Sequence, residues 1–286
     1  MAVYKRTYVA YEGAYTPQWS RFLVLPRVSY KALFQTRFLL LFLMACFFYP
    51  LGAIGYVYIA NNLSFLETLR IPTGNIFKVD PGTFLTFCWF QGALAYTLTA
   101  FVGPTLISPD LTNNALPLYF CRPFSRLEYL FGKASVLMIL LSFITWVPGL
   151  VVWAVQASLA GWDWTKGNWW IAASLVGGLM LWVAFLSLIA LTISAWVKWR
   201  VAAGALLLGV FLGGAGLGSA VNQIMRTEYG SLLNLTQVIY TIWSQLFGIV
   251  PDPGITVGEA WTALGVISAV CVFLLSRKVR AFEVVK

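Results

Sequence analysis

Apolar residues form long uninterrupted runs along this chain of 286 residues. A helix needs roughly 20 mostly apolar residues to cross the hydrocarbon core of a bilayer. Six runs come close to or exceed this length, and none contains a formal charge. These runs are residues 38–59, 84–107, 134–160, 169–197, 201–221 and 260–276. The pattern predicts an all-α membrane protein with six transmembrane helices.

A seventh apolar run, residues 236–250, is shorter and is interrupted by Gln237 and Gln245. A run of this length is short for a membrane crossing. A seventh crossing would also put the two chain ends on opposite sides of the membrane. We therefore expect a short re-entrant or interfacial helix between the fifth and sixth spans.

The first 37 residues are more polar than the transmembrane domain that we assign to residues 38–286. Pro26 suits the first turn of a helix. After it, Arg27, Lys31 and Gln35 recur every four residues. This spacing is typical of an amphipathic helix that lies on the membrane surface with its basic side chains toward the lipid headgroups. The first apolar run begins too late and is too long for a secretory signal, so we expect it to remain as an anchor.

Charged residues make up only 10% of the chain and hydrophobic residues make up 60%. Soluble domains carry about 25% charged residues, so this composition excludes a soluble enzyme. The chain has no histidine, and its four cysteines form no CxxC pair. The cysteines are Cys46, Cys88, Cys121 and Cys271. We expect them to be buried small side chains, and we expect no metal or cofactor on this chain.

The basic residues lie mainly on one side of the predicted topology. Of the 19 Lys and Arg residues, 15 fall in the N-terminal segment, the second-to-third and fourth-to-fifth loops and the C-terminus. The other side has four, namely Arg70, Lys78, Lys166 and Arg226. The positive-inside rule therefore predicts that both termini are cytoplasmic. Because the basic residues flank the spans instead of forming one patch, the net charge of +9 reflects this topology and does not indicate contact with nucleic acid.

Glycines recur at four-residue spacing in the fifth predicted span. Gly209 with Gly213, and Gly214 with Gly218, form two GxxxG motifs. Small residues at this spacing let two helix backbones approach closely in lipid. The motifs fit packing within one subunit, packing between two subunits, or a flexible gate helix, and the sequence leaves these open.

The loop of residues 108–133 carries two helix-start signals on the predicted cytoplasmic side. In Ser108-Pro109-Asp110, serine can cap a helix, proline suits its first position and an early carboxylate complements the dipole. These residues predict a two-turn helix over residues 109–116, which Pro117 ends. Ser125 and Glu128 have the spacing of a capping box and predict a second helix that leads into the third span.

This loop resembles the signature region of the type 2 ABC transporter permease family. The matching features are an acidic residue on a short helix, a leucine-rich turn, Pro-x-Ser-Arg, and Gly-Lys before the third span. In this chain they are Asp110, Leu116 with Leu118, Pro123-Phe124-Ser125-Arg126, and Gly132-Lys133. The chain departs from the family pattern at Asn113-Asn114-Ala115, where Gly-Thr or a similar pair is usual.

The resemblance implies the permease subunit of an ABC exporter in a bacterial cytoplasmic (inner) membrane. It implies a separate ABC ATPase subunit that binds ATP and Mg, and a second copy of this permease or a homologous one. The coupling residues it implies are Ser108, Pro109, Asp110, Leu111, Asn113, Asn114, Leu116, Arg122 and Arg126. Gly132-Lys133-Ala134 lacks the spacing and hydroxyl of a phosphate-binding loop, so this chain by itself is not expected to be an enzyme.

The predicted spans hold uncharged polar and aromatic residues and no formal charge. Intramembrane charges mark ion and proton routes, so their absence argues against a proton-coupled antiporter or an ion channel with charged rings. Mild polarity with many aromatic residues suits an apolar or amphipathic cargo such as a lipid or a hydrophobic peptide, although the polar residues also fit hydrogen bonding between helices. Two other functions stay open. One is a non-transporting membrane anchor or assembly subunit of a larger complex. The other is a membrane-embedded enzyme acting on lipid, for which the chain offers few nucleophile and base candidates.

Overall fold

The computed structural model describes residues 23–62, 78–113, 115, 119, 125–251 and 254–278. Within these residues the chain is helical almost throughout and contains no strand. The helices in chain order are α1 (Val24–Leu33), α2 (Arg37–Cys46), α3 (Phe48–Asn61), α4 (Pro81–Val102), α5 (Pro104–Thr112), α6 (Arg126–Ile144), α7 (Trp146–Ala160), α8 (Trp162–Trp196), α9 (Arg200–Met225), α10 (Leu235–Leu246) and α11 (Val257–Lys278). A short 3₁₀ helix, Tyr229–Leu233, precedes α10.

The six predicted spans are confirmed as helices. The described residues contain six helical stretches that are long and apolar enough to cross a membrane. They are Arg37–Asn61, Pro81–Thr112, Arg126–Ala160, Trp162–Trp196, Arg200–Met225 and Val257–Lys278. The second begins at Pro81 because the Asp80 carboxylate caps it, accepting a hydrogen bond of 2.9 Å from the Thr83 N–H. The chain is therefore built as a multi-pass membrane protein.

Three of these stretches are broken, and a proline follows each break. The first divides at Phe47 into α2 and α3, with Pro50 in the first turn of α3. The third divides at Thr145 into α6 and α7, with Pro148 in the first turn of α7. In the second, Pro104 directly follows Gly103, where α4 meets α5. Proline removes an N–H and crowds the carbonyl four residues earlier, which explains where the breaks occur.

Helix α8 forms the centre of the bundle. It packs against α4, α5, α6, α7 and α11. It is the most buried of the six spans, whereas α11 is the least buried. The sequence predicts a turn over residues 161–168, and this prediction is wrong. Gly161 alone makes the reversal with φ of 87°, and α8 starts at Trp162 and runs through a kink at Asn168.

The predicted helix near Pro26 is confirmed as α1. Pro26 is buried in its first turn, while Arg27 and Lys31 are exposed. The Tyr30 hydroxyl donates a hydrogen bond of 2.8 Å to the Val136 carbonyl and so fastens α1 to α6. Burial raises the pKa of Tyr30 to about 12.

The seventh apolar run forms α10, a helix too short to cross a bilayer. Asn234 caps its start by accepting hydrogen bonds from the Thr236 and Gln237 N–H groups. The fully buried Trp243 on α10 donates a hydrogen bond of 2.9 Å to the Gly178 carbonyl of α8. Trp182 on α8 likewise donates to the Gly92 carbonyl of α4 at 3.0 Å. The two indoles meet edge to face at 6.0 Å, so α10 is wedged between α4 and α8.

Candidate functional site

The short helix expected at residues 109–116 begins and ends earlier in the structure. Helix α5 runs from Pro104 to Thr112, and Pro109 is inside it. Ser108 is therefore not a cap but a fully buried residue within the helix. The N–H groups of Ile107 and Ser108, just before Pro109, both donate to the Ser194 hydroxyl oxygen at 3.0 Å. A side chain of α8 is thus bonded directly to the α5 backbone.

Ser108 joins α5 to the end of α8. Its hydroxyl lies 2.7 Å from the Val197 carbonyl and 3.2 Å from the Ser194 hydroxyl. Thr112 adds a second link, since its hydroxyl donates to the Ser108 carbonyl at 2.9 Å and lies 3.3 Å from the Lys198 carbonyl. A buried polar group is costly in lipid unless it is hydrogen-bonded, so this cluster favours one relative position of α5 and α8.

Asp110 joins α5 to α6. Its Oδ2 lies 2.8 Å from the ammonium of Lys133 and accepts a hydrogen bond of 2.7 Å from the hydroxyl of Tyr129. Lys133 is 7% exposed and Tyr129 is 0% exposed. The Lys133 ammonium also lies 5.7 Å from the centre of the Tyr129 ring. Partly desolvated charges of this kind are tolerated because they are paired and hydrogen-bonded.

Tyr119 lies beside this ion pair. Its ring centre is 5.4 Å from that of Tyr129. Burial, and then the negative charge of Asp110, raises the pKa of Tyr119. The Asp110 carboxylate is therefore surrounded by two tyrosines and a lysine and is 15% exposed.

The predicted capping box at the start of α6 is confirmed. The Glu128 N–H donates to the Ser125 hydroxyl at 3.2 Å, and the Ser125 N–H donates to the Glu128 carboxylate at 2.6 Å. Arg126, the first residue of α6, is exposed. This cap sets the start of the helix that carries Tyr129 and Lys133.

The predicted coupling residues divide into two groups in the structure. Ser108 and Asp110 point inward and hold α5 to α8 and α6, and Pro109 and Leu111 are half-buried. Asn113 and Arg126 are exposed. Three further predictions, Asn114, Leu116 and Arg122, lie outside the described residues. We define the α5 junction as the hydrogen-bonded set Ser108, Asp110, Tyr129, Lys133 and Ser194.

Sequence reasoning missed Tyr129 and Ser194 as members of the α5 junction. Tyr129 lies four residues before Lys133, so the two share a helix face. That spacing is a signal that could have been used. Ser194 carries no local signal, because its role depends on a helix that is 86 residues away in sequence.

The two GxxxG motifs of α9 face different surroundings. A Cβ added at Gly218 would lie 2.5 Å from the Gly230 carbonyl oxygen, and one at Gly214 would clash with the Leu233 carbonyl oxygen. Both glycines therefore let the 3₁₀ helix pack closely on α9 within the chain. Gly209 and Gly213 have open space where a Cβ would be. In the described part of this chain the second motif is thus used for internal packing, and the first has room for larger side chains.

An open groove of about 340 Å³ lies between α4 and α10. Its lining is aromatic or polar except for one leucine, and it carries no formal charge. The lining residues are Leu85, Thr86, Trp89, Asn234, Thr236, Gln237 and Tyr240. The rings of Trp89 and Tyr240 meet edge to face at 5.5 Å. Uncharged polar groups beside aromatic rings suit an amphipathic ligand.

Metal-ligating residues do not gather in the described ranges. No group of three His, Cys, Asp or Glu side chains lies close enough together there to hold an ion. Cys46, Cys88 and Cys271 are buried free thiols in separate helices.

Neither a scan against models of known protein families nor a search of curated proteins gives a match for the chain. The α5 junction and the groove are therefore the features from which a function can be argued.

Proposed function

We propose that the chain is the permease subunit of an ABC exporter, driven by a separate ATPase subunit that binds ATP and Mg. The observation that carries the proposal is the α5 junction. Helix α5 is short, continues the second span, and is fastened to both α6 and α8 by buried polar contacts. A force applied to its exposed end would therefore move three spans together.

The exposed end of α5 is the surface that we assign to the ATPase. Asn113 follows the last residue of α5 and is exposed. Asp110 is proposed to act differently, because its carboxylate is already bonded to Lys133 and Tyr129. In this proposal Asp110 transmits the movement of α5 to α6 and does not contact the ATPase. The proposed cytoplasmic position of α5, and of both termini, rests on the distribution of basic residues.

The proposed working unit contains two permeases, this chain with a second copy or a homologue, in a bacterial inner membrane. Helix α10 is proposed as a re-entrant helix on the outer side. The proposed cargo is apolar or amphipathic, such as a lipid or a hydrophobic peptide. The uncharged aromatic lining of the groove between α4 and α10 supports such a cargo. An alternating movement of the spans would expose the bound cargo to one side of the membrane at a time.

The test uses the tagged chain purified from its native membranes together with what it binds. The purified assembly is expected to hydrolyse Mg-ATP. Asn113→Arg should remove most of that activity from the assembly, because it adds bulk and charge to the ATPase surface. Gln223→Arg is the matched control, since Gln223 is also exposed but lies at the far end of α9.

Two outcomes would contradict the proposal. One is an assembly that contains no ATPase subunit. The other is an Asn113→Arg assembly with the same Mg-ATP hydrolysis as the Gln223→Arg control. Partners retained without any dependence on nucleotide or on Asn113 would instead favour the alternative function, a non-transporting anchor or assembly subunit.

A further inference from the structure

Two prolines leave two backbone carbonyls without their helical donors. Pro50 lies four residues after Cys46, and Pro148 lies four residues after Ile144. An α-helix would bond each of these carbonyls to the N–H four residues later, and proline has no N–H. The carbonyls of Cys46 and Ile144 are the last before the breaks at Phe47 and Thr145.

One side chain donates hydrogen bonds to both carbonyls. The Gln91 amide on α4 donates to the Cys46 carbonyl at 3.1 Å and also to the Ile144 carbonyl. A primary amide has two N–H donors, so a single glutamine can satisfy both acceptors. Gln91 is 0% exposed. Ten residues separate it from the start of α4, which is a rise of about 15 Å and thus about half of the hydrocarbon thickness.

The half-helices beyond the two breaks are joined to each other. Helix α3 packs along α7. Near their ends the Asn61 amide donates a hydrogen bond of 2.7 Å to the Gln156 side-chain oxygen. The half-helix before the second break, α6, carries Lys133 and is bonded to α5. Gln91 therefore lies between the α5 junction and a linked pair of half-helices.

We propose that Gln91 is a positioning residue that forms a shared hinge for the first and third spans. Because one amide bonds both carbonyls at the breaks, the α2/α3 and α6/α7 angles change together. Lipid offers no water to replace a lost donor, so the amide also limits the range over which the two angles vary. The use of this hinge in transport rests on the proposed function. The hinge itself is a property of the single chain and is tested without the ATPase.

The experiment measures the angle at the α6/α7 break in the full chain, purified in lipid nanodiscs. Spin labels are placed at Leu127→Cys and Leu159→Cys, two exposed positions on α6 and α7, in a chain whose native cysteines are replaced. Gln91→Leu removes both donors and keeps the bulk of the side chain. We expect the measured distance distribution to become about twofold wider, because the break loses the contact that fixes its angle.

A second substitution identifies the cause. Pro148→Ala gives Ile144 a backbone donor again, so Gln91→Leu/Pro148→Ala should have a narrow distribution. Thr97→Val is the matched control on α4, because its hydroxyl donates to the Ala93 carbonyl of the same helix. This variant should leave the distance distribution unchanged. If the Gln91→Leu chain folds and its distance distribution is as narrow as that of the wild type, the proposed hinge is wrong.

Folding itself gives a second readout if Gln91→Leu fails to fold. The chain with Gln91→Leu, Pro50→Ala and Pro148→Ala has backbone donors for both carbonyls and should fold. Failure of this triple variant would show that Gln91 acts in some other way and would overturn the proposal. In both experiments the ATPase is absent, so a failure of the exporter proposal leaves the result on the hinge unaffected.

Discussion

The ammonium of Lys133 and the carboxylate of Asp110 form an ion pair of 2.8 Å between α6 and α5. Both side chains are largely buried. Removing one partner of a buried pair leaves the other charge without compensation, whereas replacing both with apolar groups is often tolerated. The pair therefore contributes more to the relative position of the helices than to net stability.

We predict that Asp110→Leu and Lys133→Met each destabilise the chain by about 3 kcal/mol. The double variant should be more stable than either single variant, because no unpaired charge remains. Thermal unfolding in detergent, followed by tryptophan fluorescence, measures all three. Losses that simply add in the double variant would show that the two charges do not interact as described.

Removing the Ser194 hydroxyl should cost more stability than removing the Ser108 hydroxyl. Ser194→Ala removes the hydroxyl that accepts from two backbone N–H groups, those of Ile107 and Ser108, while Ser108→Ala removes one donor, the one to the Val197 carbonyl. An unsatisfied buried group costs about 1–3 kcal/mol, so the Ser194 variant should lose roughly twice as much. Unfolding midpoints compare the two variants.

Ser187→Ala is the matched control for this comparison. Ser187 lies on the same helix and is buried, and its hydroxyl has no hydrogen-bond partner among the described residues. Its removal should leave the unfolding midpoint unchanged or slightly higher. If all three variants lose equal stability, the hydrogen bonds to Ser194 do not stabilise the chain as described.

The spans could be predicted from sequence because the signal is local. A charge-free run of about 20 residues is sufficient to identify a crossing. The capping box of Ser125 and Glu128 is local in the same way, and it is confirmed. The turn over residues 161–168 was predicted too long, because Gly161 completes it with φ of 87° and α8 starts at Trp162.

The α5 junction could be predicted only in part. Asp110 and Lys133 were both recognised, but as separate motif residues and not as an ion pair. The predicted start of α5 at Ser108 was wrong because Pro104, and not Pro109, takes the first position of the helix. The contact with Ser194 was missed because it joins residues that are 86 positions apart. Gln91 was missed as a bridge for the same reason. Its two acceptors belong to two other spans.

Because Trp243 is wedged between α4 and α8, we expect Gly→Ala substitutions beside its ring to lower stability and a neighbouring one to have no effect. A Cβ at Gly92 would lie 2.7 Å from the Trp243 ring, and one at Gly178 would lie 2.9 Å from it. Gly92→Ala and Gly178→Ala should each destabilise the chain by about 1–3 kcal/mol through overpacking. Gly177→Ala is the control, because nothing lies near its Cβ position. If Gly178→Ala unfolds at the same temperature as Gly177→Ala, α10 is not wedged between α4 and α8 as described.

The two GxxxG motifs of α9 should respond to substitution in opposite ways. Gly218→Leu should lower the stability of the single chain, because the added side chain would displace the 3₁₀ helix at Gly230. Gly213→Leu should leave that stability unchanged, since its surroundings are open. If a second copy packs on this open face, as the proposed function requires of some surface, Gly213→Leu should weaken self-association. Unfolding midpoints and energy transfer between labelled chains in vesicles measure the two effects separately. Wild-type energy transfer in the Gly213→Leu variant would show that the second copy contacts another face of the bundle.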